Sequence, residues 1–254
     1  MDNVWFVRHG EPTNPTATLY MLPFAGGNAG LYADWADEIP DVSVVGVQYP
    51  GRGSRFMEPC ISDAGTMAGH LARLIEDEAD RHFFIFGYSM GAILAFETLV
   101  ASNPLVRQRC LGLFVAARAA PGHQRRTAAL HELDDPNFIE GLRELAGGPE
   151  EVLADKDLMS LLMPMLRSDF RLSERYQLTH KVILPIPITA LCGENDPLAD
   201  KDATLGWSQY TSRNFQYDTF PGGHFFINEH KIRLKAIVRN IIKERLSVVH
   251  TYNL

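Results

Sequence analysis

Cysteine is scarce in this chain, with only Cys60, Cys110 and Cys192 spread over 254 residues. Their odd number and wide spacing exclude a disulfide framework and a thiolate metal site. They read as reduced thiols of a cytoplasmic protein. No apolar run reaches the ~20 residues that a membrane-spanning helix needs. The start, Met1-Asp2-Asn3-Val4-Trp5, lacks a basic stretch followed by a long apolar one, so no secretory signal is expected. Positive charge is also short. Lys and Arg number 24 against 31 Asp and Glu, a net charge of −7 without a basic patch, which argues against nucleic acid as a partner.

What is present is the composition of a globular domain: 46% apolar and 22% charged residues. The length suits one large domain or a core with an insertion. Short apolar runs alternate with helical patterns. Thr18–Leu22, Val42–Val47, His82–Phe86, Leu111–Ala116, Ile186–Ala190 and Asn214–Thr219 read as strands. A helix is expected around Leu31–Trp35, and another from Ser62 to about Asp80, with Met67, Leu71, Leu74 and Ile75 at helical spacing. This alternation predicts an α/β fold, a mostly parallel sheet with helices on both faces.

Gly87-Tyr88-Ser89-Met90-Gly91 carries the chemistry. A serine between two glycines, at a turn from a strand into a helix, is the nucleophile elbow of α/β-hydrolases. Such a turn is sharp, strains the serine backbone and leaves no room for a Cβ at the flanking positions. It also aims the unpaired N–H groups of a helix N-terminus at the reacting carbonyl. A serine nucleophile requires a base, and the base an orienting acid, in the chain order Ser, Asp or Glu, His. Asp196 lies just past a strand in Gly193-Glu194-Asn195-Asp196-Pro197, and His224 lies in Phe220-Pro221-Gly222-Gly223-His224 after the next strand. Glu194, Asp200 and Asp202 compete for the acid role. The strand-end position and the turn closed by Pro197 favour Asp196. For the oxyanion hole, the N–H of Met90 and one from the loop after the first core strand are expected. Phe24 is the first candidate there and Ala25 the second.

From about 121 to 180 the alternation stops. Pro136–Leu145, Asp155–Met163 and Met165–Gln177 read as short helices without a strand among them, a candidate lid. Met159, Leu162, Met163 and Met165 could line an apolar channel, or simply pack as core. Near the start, Val7-Arg8-His9-Gly10-Glu11 resembles the Arg-His-Gly signature of histidine phosphatases. That would make His9 a phosphoryl acceptor, but further phosphate ligands cannot be placed in the sequence.

Leu22-Pro23-Phe24-Ala25-Gly26-Gly27, Tyr49-Pro50-Gly51-Arg52-Gly53-Ser54-Arg55, the elbow, Leu166-Arg167-Ser168-Asp169-Phe170, the Asp196 loop and Gly222-Gly223-His224-Phe225-Phe226 together resemble the type II thioesterases. The resemblance runs nearly end to end. It implies one α/β-hydrolase domain over 1–254 with a helical lid at approximately 121–180, and no cofactor or metal. It also implies a stand-alone editing hydrolase that removes aberrant or stalled acyl groups from the phosphopantetheine arm of carrier proteins in nonribosomal peptide and polyketide biosynthesis. The triad it implies is Ser89, Asp196 and His224. Acyl transfer to another acceptor, or general hydrolysis of small thioesters, would use the same acyl-enzyme. A monomer is expected, with transient carrier docking through an apolar or locally basic patch that could include Arg125 and Arg126.

Overall fold

The central strands form where β-branched and aromatic residues run together, and they divide their side chains between two covered faces. A computed structural model describes residues 4–10, 12–78, 81–123, 129–145 and 147–252, with side chains up to 249. In chain order its strands are β1 (Phe6–His9), β2 (Ala17–Leu22), β3 (Val42–Val47), β4 (Phe83–Tyr88), β5 (Cys110–Ala116), β6 (Ile188–Gly193) and β7 (Phe215–Phe220). They build one seven-stranded sheet in the order β1-β3-β2-β4-β5-β6-β7. Every neighbouring pair is parallel except the edge pair, where Phe6 faces Val47 in antiparallel register. The expected mostly parallel α/β sheet is therefore present.

The helices are α1 (Ala64–Glu78), α2 (Met90–Ala101), α3 (Pro104–Arg107), α4 (Asp135–Glu144), α5 (Glu150–Ala154), α6 (Lys156–Arg175), α7 (Lys201–Leu205), α8 (Phe226–Glu229) and α9 (Lys231–Tyr252). On one face, Tyr20, Val45, Ile85 and Leu113 pack against α1 and α2. On the other, Leu19, Val44, Phe84 and Phe114 meet α9 and the segment Ala29–Glu38. Successive residues of the central strands β2 to β6 thus enter opposite cores, which is why those strands read as continuous apolar runs. The helix expected around Leu31–Trp35 is a 3₁₀ segment, capped by the Asn28 side chain on the Gly30 N–H.

Between β5 and β6 the chain builds α4, α5 and α6, with their own apolar cluster of Phe138, Leu142, Leu153, Met159 and Met163. The sequence suggested two helices separated at Pro164. Instead α6 runs through Pro164 as one helix of 20 residues. Pro164 and Ser160 are both exposed, so the carbonyl that loses its helical partner lies on the solvent side, where the loss costs least. Asp155 caps α6 by accepting from the N–H groups of Asp157 and Leu158. Glu174 ties the segment before α4 to α6, accepting from the N–H groups of Leu130 and His131 at 3.0 Å each.

Candidate active site

The elbow forms because β4 ends where α2 begins, leaving one residue to reverse direction. That residue is Ser89, at φ 52° and ψ −111°, a conformation that ordinary residues avoid. Its N–H donates to the Ala116 carbonyl at 2.8 Å, which fixes the turn against β5. The flanking glycines are obligatory for a steric reason. A Cβ on Gly91 would lie 2.0 Å from the Leu22 carbonyl oxygen, and one on Gly87 would lie 2.2 Å from that of Gly91.

The three polar side chains converge from separate loops. The Ser89 hydroxyl donates to His224 Nε2 at 2.9 Å. His224 Nδ1 donates to Asp196 Oδ2 at 2.9 Å and Oδ1 at 3.0 Å. Asp196 is also held by the Leu198 N–H at 2.8 Å. All three residues are buried. The loops carrying acid and base interlock at Gly193, where a Cβ would lie 2.3 Å from the Gly223 carbonyl oxygen. Tyr88 secures His224 from the other side, donating its hydroxyl to the His224 carbonyl at 2.6 Å.

The competing acids have other places. Asp200 caps α7, accepting from the Ala203 N–H at 2.8 Å, and Glu194 and Asp202 are exposed. His9 contacts the Ala29 carbonyl at 2.9 Å, and its neighbour Arg8 pairs with Glu78 at 2.7 Å. Neither borders the cavity over Ser89. Met90 opens α2 directly after Ser89, and Phe24 and Ala25 border the same cavity as Ser89.

That cavity has a volume of about 1020 Å³ and is bordered by Ser89 and His224 together with residues of α4, α5 and α6. Met159, Leu162 and Met165 line it, as the sequence suggested. Met163 does not: it faces a smaller space of about 390 Å³ within the helical insertion. Met159 and Met163, four residues apart, share a helix face and both enter the insertion's own cluster, but only Met159 also reaches the large cavity. Arg125 and Arg126 lie outside the described residues.

One interaction escaped the sequence. Arg52 and Asp169, 117 residues apart, form a buried bidentate ion pair at 2.6 and 2.7 Å. They belong to two of the segments that carry the family resemblance, and the sequence did not reveal that these meet. Neither stretch is apolar enough in sequence to mark its charge as buried, so no local signal pointed to the pair. Arg55, from the same loop, stacks its guanidinium over Trp5 at 3.9 Å and pairs with Glu58.

A sharp turn that presents a buried serine to an apolar cavity, a histidine in contact with it and a buried carboxylate behind the histidine form an arrangement suited to a charge-oriented nucleophile. Residues 17–244 match the thioesterase domain family. This chain is a member of the thioesterase family. The thioesterase is 35% identical over 228 residues to thioesterase PikA5 of Streptomyces venezuelae, an alignment that covers 89% of this chain and 81% of PikA5. It superimposes on the type II thioesterase BorB from the borrelidin biosynthetic cluster with a TM-score of 0.81 and 34% identity, covering 97% and 99% of the two chains. ClbQ from the colibactin NRPS/PKS pathway gives a TM-score of 0.82 at 28% identity, covering 92% of this chain and 99% of ClbQ. The type II thioesterase resemblance of the sequence thus holds in the fold, and the thioesterase is a thioester hydrolase of the serine type.

Proposed function

We propose that this thioesterase stands alone and clears aberrant or stalled acyl groups from the phosphopantetheine arm of carrier proteins in nonribosomal peptide or polyketide biosynthesis. The contact chain Ser89–His224–Asp196 at the border of the apolar cavity carries this reading. The acyl chain lies in the cavity beneath a lid made by the helical insertion of the single domain, and the arm threads to Ser89 from outside.

The chemistry follows from the hydrogen bonds. His224 Nε2 takes the Ser89 proton as Oγ attacks the thioester carbonyl, and Asp196 stabilises the imidazolium that forms. The N–H groups of Met90 and Phe24 hold the oxyanion, worth roughly 10²–10³ in turnover for each donor. The C–S bond breaks, and His224 returns the proton to the leaving sulfur. Water then attacks the acyl-serine with His224 again as base, releasing the acid and restoring the Ser89 hydroxyl. No cofactor enters this sequence of steps.

The chain is net negative. Binding of an acidic carrier therefore rests on a small local patch together with the covalent arm, which raises the effective concentration of the thioester. The protein acts as a monomer in the cytoplasm. The test offers one acyl group on a carrier protein and on free pantetheine, and separately a simple phosphate ester, and follows free acid, free thiol and phosphate. Acid and thiol release, with higher kcat/KM on the carrier, is expected. Equal kcat/KM with and without the carrier refutes the editing role and leaves a general thioester hydrolase. Transfer of the acyl group to an added alcohol or amine in preference to water refutes hydrolysis as the main reaction.

A further inference from the structure

Asp169 sits on the insertion helix α6, yet its side chain is fully buried against the core. Its carboxylate does two things at once. Both oxygens pair with Arg52, and Oδ2 also accepts from the Gly26 N–H at 2.8 Å. Arg52 Nη1 in turn donates to the Gly27 carbonyl at 3.3 Å. One ion pair therefore grips Gly26 and Gly27 from both sides of their shared peptide.

These two glycines complete the turn Phe24-Ala25-Gly26-Gly27, closed by the Gly27 N–H on the Phe24 carbonyl at 2.9 Å. Gly26 has φ +82°, as the third position of a type II turn demands. Leu166, one turn before Asp169 on α6, presses on the same glycine: a Cβ at Gly26 would lie 2.8 Å from Leu166 Cδ2. The Gly26 and Gly27 amides are thus spent on Asp169 and Phe24, which leaves the N–H groups of Phe24 and Ala25, both on the lining of the cavity that holds Ser89, as the turn's remaining candidate donors.

We propose that Asp169 and Arg52 are positioning residues for the oxyanion loop, so that the oxyanion hole is assembled only when α6 is seated on the core. This rests on the reading of Phe24 as an oxyanion donor. The design has a physical logic. A carboxylate is the acceptor best able to immobilise a glycine-rich turn, because a charge-assisted hydrogen bond is about twice as strong as a neutral one. An unpaired carboxylate near a developing oxyanion would oppose it, and Arg52 cancels that charge. The Arg52 Nε atom is buried without a hydrogen-bond partner among the described residues, so the guanidinium is aimed at the turn at the expense of its own full satisfaction. The N-terminal half of the same helix lines the acyl cavity through Met159 and Leu162, so the helix that meets the acyl chain also sets the catalytic turn.

The experiment uses the full chain with Asp169→Asn and Arg52→Lys, each close in shape to the native residue, and Asp169→Glu as the conservative replacement. The substrate is octanoyl-pantetheine. The probes are octylboronic acid, which mimics the tetrahedral state on Ser89, and octanoic acid, which mimics only the bound chain. The expected result is a 10- to 100-fold fall in kcat with KM within about threefold, in line with a displaced oxyanion donor. Inhibition by the boronic acid weakens by a similar factor, octanoic acid inhibits as before, and Asp169→Glu recovers part of kcat. A fall in kcat with unchanged boronic acid inhibition marks a loss of folded protein only and overturns the proposal, as does wild-type kcat in both variants. If Asp169→Asn does not fold, Arg52→Lys, which keeps the charge, carries the same comparison. Ser89→Ala runs in parallel. If it retains hydrolysis, the triad reading fails and takes this proposal with it; if it is inactive while the Asp169 and Arg52 variants are normal, only the positioning role falls.

Discussion

Tyr88 hydrogen-bonds the main chain of His224 across 136 residues of sequence, its hydroxyl 2.6 Å from the carbonyl oxygen. The residue before Ser89 therefore fixes the loop that carries His224. Burial pushes the phenol well above its ordinary pKa, so Tyr88 stays a donor throughout the working pH range. Tyr88→Phe should keep the ring packing but leave a buried carbonyl unpaired, at about 1–3 kcal/mol of stability. We expect a thermal midpoint lower by several degrees and kcat reduced several-fold, measured by calorimetry and acyl-pantetheine hydrolysis. An unchanged kcat would show that the His224 loop is held well enough without this bond.

Ser89→Ala removes one hydroxyl and leaves the elbow's backbone contacts in place. Thioester hydrolysis should fall by about 10³-fold or more, with the thermal midpoint almost unmoved. Activity above a tenth of wild type in the folded variant would refute the role of nucleophile.

His224→Ala should lose nearly as much as Ser89→Ala, and the double variant little more, because the members act as one unit. Losses that add in the double variant would place His224 in some other step.

Asp196 and Asp200 separate the orienting acid from a helix cap. Asp196→Asn removes the charge behind His224 and should reduce kcat about 10²- to 10⁴-fold. Asp200→Asn should leave activity and stability intact, since asparagine caps helices as well as aspartate does. Asp200→Ala should cost about 1 kcal/mol of stability with kcat retained. Steady-state kinetics and thermal melting of the three variants distinguish the roles, and the reverse order would exchange them.

Gly91→Ala tests the crowding of the elbow. Its methyl group would lie 2.0 Å from a backbone oxygen of β2, which cannot swing aside as a side chain can. We expect a loss of about 3 kcal/mol and displacement of α2, read as a lower thermal midpoint together with strongly reduced kcat. A variant as stable and active as wild type would mean that β2 and α2 can separate.

The sheet and the elbow were legible in the sequence because their signals are local. A strand buried on both faces is a short apolar run, and a nucleophile elbow is five adjacent residues whose glycines answer to a steric demand. The order Ser89, Asp196, His224 followed from strand ends that local patterns could locate. Choosing Asp196 over Asp200 with certainty was beyond those patterns, because both lie in the same loop region, and only the ring of His224 distinguishes them in space. The continuity of α6 through Pro164 depended on which side of the helix would meet solvent, and the turning of Met163 away from the large cavity depended on what packs beneath it. The pairing of Arg52 with Asp169 joins loops 117 residues apart. The sequence determined which residues could serve as nucleophile, acid and base. Only the tertiary structure decided which charges meet in the interior, because a buried ion pair is specified by the packing of distant elements and leaves no periodic trace along the chain.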